Sequence, residues 1–295
     1  MATFSRKSIS TLRFGERDFV WGERTYVMGV VNATPDSFSG DGVLPTTGDV
    51  QQAVDQALRM EDEGSDIIDI GGESTRPASI YSDAKPVEAE NEIARVVPVI
   101  EGLIGRLGIP ISIDTRKAAV AAAAIAAGAA LVNDVSMLGD AAMTGTVVDA
   151  GVPIIMSHIR QGGHQGDVVD DVLGDLRRSI EELVSAGVER SHVIVDPGIG
   201  FAKSGAQSLE LLRNISTLRT EFALPVLIGT SRKSFIGAVT GESVDDRRFG
   251  TAATVALAIQ GGADIVRVHD VREMVSVVKM SDALTRQQRD GAIDA

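Results

Sequence analysis

The sequence predicts a TIM-type (β/α)8 barrel, an α/β fold with an N-terminal β-hairpin, on three observations. Short apolar runs alternate with longer amphipathic stretches eight times between residue 26 and residue 284. Nearly every apolar run stops on a polar residue, as buried parallel strands do when their C-terminal edge carries chemistry. Several helical stretches are followed directly by glycine, at Gly64, Gly128, Gly151, Gly187 and Gly262, the usual left-handed stop. Eight evenly spaced βα units fit a closed barrel better than a doubly wound sheet, which stays the alternative.

The elements follow in order. Residues 11–25 read as a hairpin, turning at Gly15-Glu16 and Gly22-Glu23 and placed to plug the bottom of the barrel. Strands are predicted at 27–32, 67–70, 110–114, 131–134, 152–157, 193–196, 226–229 and 265–269. Helices are predicted at 50–63, 88–105, 115–127, 170–186, 208–221, 248–260 and 270–283, with a shorter one at 141–150. The Ala-rich stretch 118–127 suits a helix by propensity. The polar residues from about Arg286 onward read as a frayed end. No linker divides the chain, so residues 1–295 are expected to be one domain: hairpin 11–25 and barrel core 26–284.

Composition narrows the function. The chain has 295 residues, 44% of them hydrophobic, enough for a full core. Aromatics are 4% and glycines number 31, which suits aliphatic packing and many short turns. Against 28 basic residues stand 41 acidic ones, a formal charge of −13, so a nucleic-acid or anionic-membrane surface is not expected. With no cysteine there is no disulfide, no zinc–thiolate site and no thiol nucleophile. No apolar run approaches the roughly 18 residues of a membrane span, and a cytoplasmic location is expected.

In this fold the active site lies at the C-terminal strand ends. The residues standing there are Asn32; Asp69, followed by Gly-Gly-Glu-Ser-Thr75-Arg76-Pro; Asp114; Asn133-Asp134; Met156-Ser157-His158; Asp196, followed by Pro-Gly-Ile-Gly-Phe201-Ala-Lys203; Ser231-Arg232-Lys233-Ser234; and Arg267-Val268-His269-Asp270. Asp114, Asn133 and Asp196 form a donor–acceptor comb suited to a flat heterocycle with amide and amino edges, such as a pterin or guanine-like ring. Lys233 caps that ring or bridges to a second substrate. Arg267 and His269 alternate along one strand and so share a face. With Asn32 and Thr75 they could hold a phosphate or diphosphate, with Mg²⁺ at Asn32, an ion that takes few protein ligands and keeps its waters.

These residues resemble one family over most of the chain. Seven motifs appear in order at successive strand ends: Asn32-Ala-Thr-Pro-Asp-Ser-Phe, Asp69-Ile-Gly-Gly-Glu-Ser-Thr-Arg-Pro, Ser112-Ile-Asp-Thr, Asn133-Asp-Val-Ser, Asp196-Pro-Gly-Ile-Gly-Phe, Ser231-Arg-Lys-Ser-Phe-Ile-Gly and Arg267-Val-His-Asp. They resemble the dihydropteroate synthases. The resemblance implies a Mg²⁺-using transferase of folate biosynthesis, a homodimer, that joins p-aminobenzoate to 6-hydroxymethyl-7,8-dihydropterin diphosphate. It implies that Asp114, Asn133, Asp196 and Lys233 hold the pterin. Asn32, Thr75, Arg267 and His269 would hold the diphosphate, and Arg76, Phe201 and Ser234 the p-aminobenzoate, with Asp69 and Met156 also in the substrate site. Asp114, Asp196, Lys233 and Arg267 carry the catalytic expectation. Loops 34–42 and 74–87 would close over the reactants.

Plainer readings stand beside these. Asp69 could be a solvated helix-start residue, His158 a hydrogen-bonded wall residue, Phe201 a packing residue on the rim. His164 and His192 read as surface residues, and Glu88, Glu90 and Glu92 as a solvated helix face. Rival functions are a pterin-dependent methyltransferase, a non-catalytic pterin-binding homologue and a generic phosphate-binding barrel. Departures from the family pattern fall in loops: a longer stretch between Pro77 and Val87, Ala202 in place of glycine, and Ile159-Arg160 after His158. The long second loop suggests an enzyme insensitive to sulfonamides that mimic p-aminobenzoate.

Overall fold

In the computed structural model, the described residues are 11–33, 47–73, 87–160, 162–164 and 166–286. Eight parallel strands follow the predicted spacing: β3 (Tyr26–Asn32), β4 (Ile67–Gly71), β5 (Ile111–Asp114), β6 (Leu131–Asp134), β7 (Ile154–Ser157), β8 (Val193–Asp196), β9 (Leu227–Ile228) and β10 (Ile265–Val268). They pair in the order β8-β7-β6-β5-β4-β3-β10-β9. A parallel bridge between Val195 and Val226 joins the two ends and closes the barrel. Ahead of it, β1 (Thr11–Phe14) and β2 (Arg17–Val20) form the antiparallel hairpin, with Gly15 at φ 59° in its turn.

Strand alternation sorts the side chains into two cores. Ile68, Val132, Ile154, Val193, Ile228 and Val266 face outward and pack with the helices. Met28, Ile67, Leu131, Ile155, Ile194, Leu227 and Ile265 face inward and meet Leu12, Phe14, Phe19 and Trp21 of the hairpin. The hairpin is therefore the plug that the sequence predicts. Phe14 and Phe19 stack at 4.0 Å between centroids, sealing the bottom with aromatic surface where the barrel has aliphatic side chains. Two residues further along the same inner face, the apolar layer gives way to a polar one: Asp69 after Ile67, Asn133 after Leu131, Ser157 after Ile155, Asp196 after Ile194 and Arg267 after Ile265.

The outer ring is α1 (Thr47–Asp62), α2 (Ala89–Leu103), α3 (Ala118–Ala127), α4 (Met143–Ala150), α5 (Val168–Ser185), α6 (Gly205–Arg213), α7 (Ile215–Phe222), α8 (Ser234–Thr240), α9 (Arg248–Gly261) and α10 (Val271–Thr285). The helix predicted over 208–221 is two helices. Asn214 leaves helical geometry (φ −111°, ψ 21°) and its side-chain amide donates to the Glu210 carbonyl at 2.9 Å, ending one helix and starting the next. The seven-residue α8, after Lys233, is too short to carry a helical period. At the far end Arg286 is buried rather than frayed, donating to Thr25 Oγ1 and the Ala263 carbonyl at 2.8 Å each. No helix among the described residues is long and apolar enough to cross a membrane.

Candidate active site at the barrel mouth

The polar inner layer converges on one ion-pair network. Arg267 donates from Nε to Asp69 Oδ2 and from Nη2 to Asp114 Oδ2, both at 2.6 Å. Asn133 Nδ2 donates to the same Asp69 oxygen at 2.9 Å. The remaining oxygens, Asp69 Oδ1, Asp114 Oδ1 and Asn133 Oδ1, are buried with no hydrogen-bond partner among the described residues. Three orphaned acceptors in one buried layer mark a surface built for a ligand with several donors. Asp69, fully buried and paired, is no solvated helix-start residue.

Electrostatics follow burial. Desolvation raises the Asp114 carboxyl well above the usual range, Arg267 pulling against it and Asp69 adding to it. Burial would lower the Arg267 guanidinium, but Asp69 and Asp114 outweigh it and keep the group charged. On the opposite wall, Asp196 accepts from Ser157 Oγ at 3.0 Å and from the Gly198 backbone N–H at 2.7 Å. Lys233 reaches in from the start of α8. Its Nζ donates to the Ile199 carbonyl and lies 4.3 Å from the centroid of the Phe201 ring, a cation–π contact. Burial lowers the Lys233 ammonium to about 8, with Asp196 opposing that shift.

Asn32 stands half-buried at the end of β3, in register with Gly71. His269 follows β10 and shares a hydrogen bond of 2.9 Å between its Nδ1 and Ser231 Oγ. Ser234 is exposed at the first position of α8. Thr75 and Arg76 lie outside the described residues, as do loop 34–42 and residues 74–86 of the second loop. One expected residue does not join the mouth. Met156 faces outward into the helix-packed core, and its neighbour Ser157 holds the inward position, because adjacent strand residues point to opposite faces.

Other features were not read from the sequence. Glu92 is fully buried and pairs with Lys117, while Glu88 and Glu90 are exposed as expected. His164 is no surface residue: its side chain is covered, stacks on His158 and pairs with Asp171. Arg160 bonds Asp175 at 2.7 Å. Arg232, in left-handed backbone at φ 59°, forms a two-pronged pair with Asp270 and so ties the Lys233 loop to the end of β10.

The described residues hold no cluster of three or more His, Asp or Glu arranged for a metal. A single amide oxygen, that of Asn32, fits an ion bound mainly through waters and substrate phosphates, which is the habit of Mg²⁺.

An acid- and amide-lined mouth on a closed (β/α)8 barrel, with a basic residue poised over it, defines a barrel that binds a flat ring with several donors, and the comparisons say which ring. The family model described as pterin binding enzyme matches residues 28–269. The dihydropteroate synthase of Bacillus subtilis (strain 168) is 44% identical over 263 residues, covering 89% of each chain. The Xanthomonas albilineans dihydropteroate synthase with 4-aminobenzoic acid superposes with a TM-score of 0.87 at 40% identity, covering 96% of this chain and 100% of that one. The same enzyme in complex with 7,8-dihydropteroate gives a TM-score of 0.80 at 40% identity, over 90% and 95% of the two chains. The chain belongs to the pterin-binding enzyme family and, within it, to the dihydropteroate synthases, transferases of folate synthesis.

Proposed function

We propose that the chain condenses 6-hydroxymethyl-7,8-dihydropterin diphosphate with p-aminobenzoate, giving 7,8-dihydropteroate and diphosphate. The observation that carries this reading is the Arg267 guanidinium spanning Asp69 and Asp114, beside three acceptor oxygens without a partner among the described residues. A guanidinium is a planar fork of N–H donors. The aminopyrimidinone edge of a pterin offers a similar fork, so the ring can take the guanidinium's place while Arg267 turns to the diphosphate.

The roles follow from position. Asp69, Asp114, Asn133, Asp196 and Lys233 hold the pterin. Arg267, His269 and Thr75 hold the diphosphate, and Arg76, Phe201 and Ser234 border p-aminobenzoate. The C–O bond between the exocyclic methylene and the diphosphate breaks, and the electron pair leaves with the diphosphate. The buried carboxylates favour the positive charge left on the methylene and ring. The amine nitrogen of p-aminobenzoate forms the new C–N bond and its surplus proton passes to solvent. Asn32 is the residue that would hold Mg²⁺, whose chemistry here is charge neutralisation on the leaving phosphates.

The chain acts in this reading as one domain over 1–295 and in the cytoplasm. A second copy docks on the late helices: Val239 of α8, Phe249 and Leu257 of α9, and Met280 and Leu284 of α10 are large, apolar and exposed, Phe249 at 82%. Insensitivity to sulfonamides stays a proposal that rests on the second loop.

The test is diphosphate release from the pterin diphosphate and Mg²⁺, with and without p-aminobenzoate, and with a sulfonamide in a third arm. Release that depends on p-aminobenzoate supports the synthase reading, and loss of release in the sulfonamide arm would remove the insensitivity proposal. Pterin binding without release would favour a non-catalytic homologue.

A further inference from the structure

The turn that carries Phe201 is held by a lysine on each side. On the mouth side, Lys233 meets the Ile199 carbonyl and the Phe201 ring. On the far side, Lys203 Nζ donates to the carbonyls of Gly198 at 3.1 Å, Phe201 at 3.2 Å and His158 at 3.2 Å, and lies 2.9 Å from His158 Nδ1. The Asp175 carboxylate can only accept, so His158 carries its proton on Nε2 and the Nδ1 of the neutral imidazole is an acceptor, one of four that share the three hydrogens of the Lys203 ammonium. His158 is fully buried, and its Nε2–H then donates to Asp175 Oδ2 at 3.0 Å. Asp175 is fixed in turn by Arg160 and Arg178. This line of side chains runs from α5 through the end of β7 to the turn, and the condensation proposed above uses none of it directly.

The turn needs such a hub. Gly198, Gly200 and Ala202 all have positive φ, at 68°, 79° and 47°. A Cβ on Gly198 would overlap the His158 carbonyl oxygen, so the two backbones approach only because that residue is glycine. Within the turn, the backbone hydrogen bond from Phe201 N to Gly198 O at 3.0 Å brings together the two carbonyls that Lys203 gathers.

We propose that Lys203 is a positioning residue for the second substrate: it clamps the 198–203 turn so that the Phe201 ring keeps its place against Lys233, shaping the p-aminobenzoate half of the site more than the pterin half, where Asp196 keeps its own anchor at Ser157 and Lys233 its place at the start of α8. The inference rests on the condensation reading for its substrate and on the geometry alone for the clamp. Lys203→Met in the full chain removes the donors and keeps the length. The KM for p-aminobenzoate should rise about tenfold, with the KM for the pterin diphosphate held within about twofold, since small misplacements at a reacting surface have effects of that size or more. Backbone amide exchange at 198–203 should quicken while the barrel strands stay protected. An equal rise in both KM values, or unchanged exchange in the turn, would overturn the proposal. If Lys203→Met does not fold, Lys203→Gln, which keeps one N–H donor group, should show the same split with smaller amplitude, and a missing split overturns the proposal equally. If the wild type makes no dihydropteroate, the condensation reading fails on its own control. The exchange arm then still judges the clamp: faster exchange at 198–203 supports it and unchanged exchange overturns it.

Discussion

Arg267 reaches Asp114 across the barrel mouth, Nη2 to Oδ2 at 2.6 Å, although the two residues are 153 positions apart in the chain. The same guanidinium holds Asp69, so one side chain joins three strands: β10, β5 and β4. Asp114 is buried and the Arg267 side chain is 18% exposed, so breaking the pair leaves a poorly solvated group without its partner. In the proposed reaction the substrate supplies both replacements: ring donors for Asp114 and a diphosphate for Arg267.

Asp114→Asn should therefore weaken pterin binding by about 3 kcal/mol, roughly a hundredfold, because an acceptor oxygen facing the ring's donors and Arg267 is replaced by an amide N–H donor group. Calorimetric titration with the pterin checks it. Affinity within twofold of wild type would remove Asp114 from the pterin contacts.

Arg267→Met should separate two ligands. Binding of the pterin diphosphate should fall roughly thirtyfold or more, since a charge-assisted contact to phosphate is lost. Binding of the same pterin without its diphosphate should fall much less, because that ligand displaces Arg267 from its carboxylates without offering it a new partner. Equal losses for both ligands would show that Arg267 does not change partners.

Ala202 lies at φ 47°, where a Cβ is strained. Ala202→Gly should stabilise the protein by about 0.5–1 kcal/mol, the relief of left-handed strain exceeding the extra freedom of glycine in the unfolded chain. A urea midpoint below that of the wild type would contradict this.

Stability should depend on pH through His158. Burial, with the nearby Lys203 charge, lowers its pKa from 6.5 to about 4, against the pull of Asp175; His164 also faces it. A folded value below the unfolded one means that the unfolded chain binds more protons between the two. The stabilisation is then complete above about 6.5 and is lost as pH falls toward 4. The difference is about 3 kcal/mol. Between pH 7 and 4.5 the urea midpoint of the wild type should shift further downward than that of His158→Gln; the raised Asp114 carboxyl, which adds stability as pH falls through the same window, acts equally in both proteins and cancels in the comparison. Parallel profiles would locate the pH dependence elsewhere.

The fold was legible because its signal is local. Eight apolar runs, nearly all ending in a polar residue, needed only strand and helix periods and glycine stops, and the polar residues of the inner layer sit where those runs end. What was not legible depends on orientation or on distance. Met156 and Ser157 are both possible strand-end residues, and only the register of β7 decides which faces in. Glu92 looks like its exposed neighbours Glu88 and Glu90 until α3 brings Lys117 beside it. The Lys203–His158–Asp175 line joins residues 45 and 17 positions apart, with no shared motif to announce it. The break at Asn214 depends on one amide turning back onto Glu210.

The most direct measurement is identification of the product by mass when the purified chain meets 6-hydroxymethyl-7,8-dihydropterin diphosphate, p-aminobenzoate and Mg²⁺, run beside Asp114→Asn. The account predicts 7,8-dihydropteroate and diphosphate in equal amounts from the wild type and little of either from the variant. Pterin binding with no dihydropteroate formed, or equal product from both proteins, would contradict it.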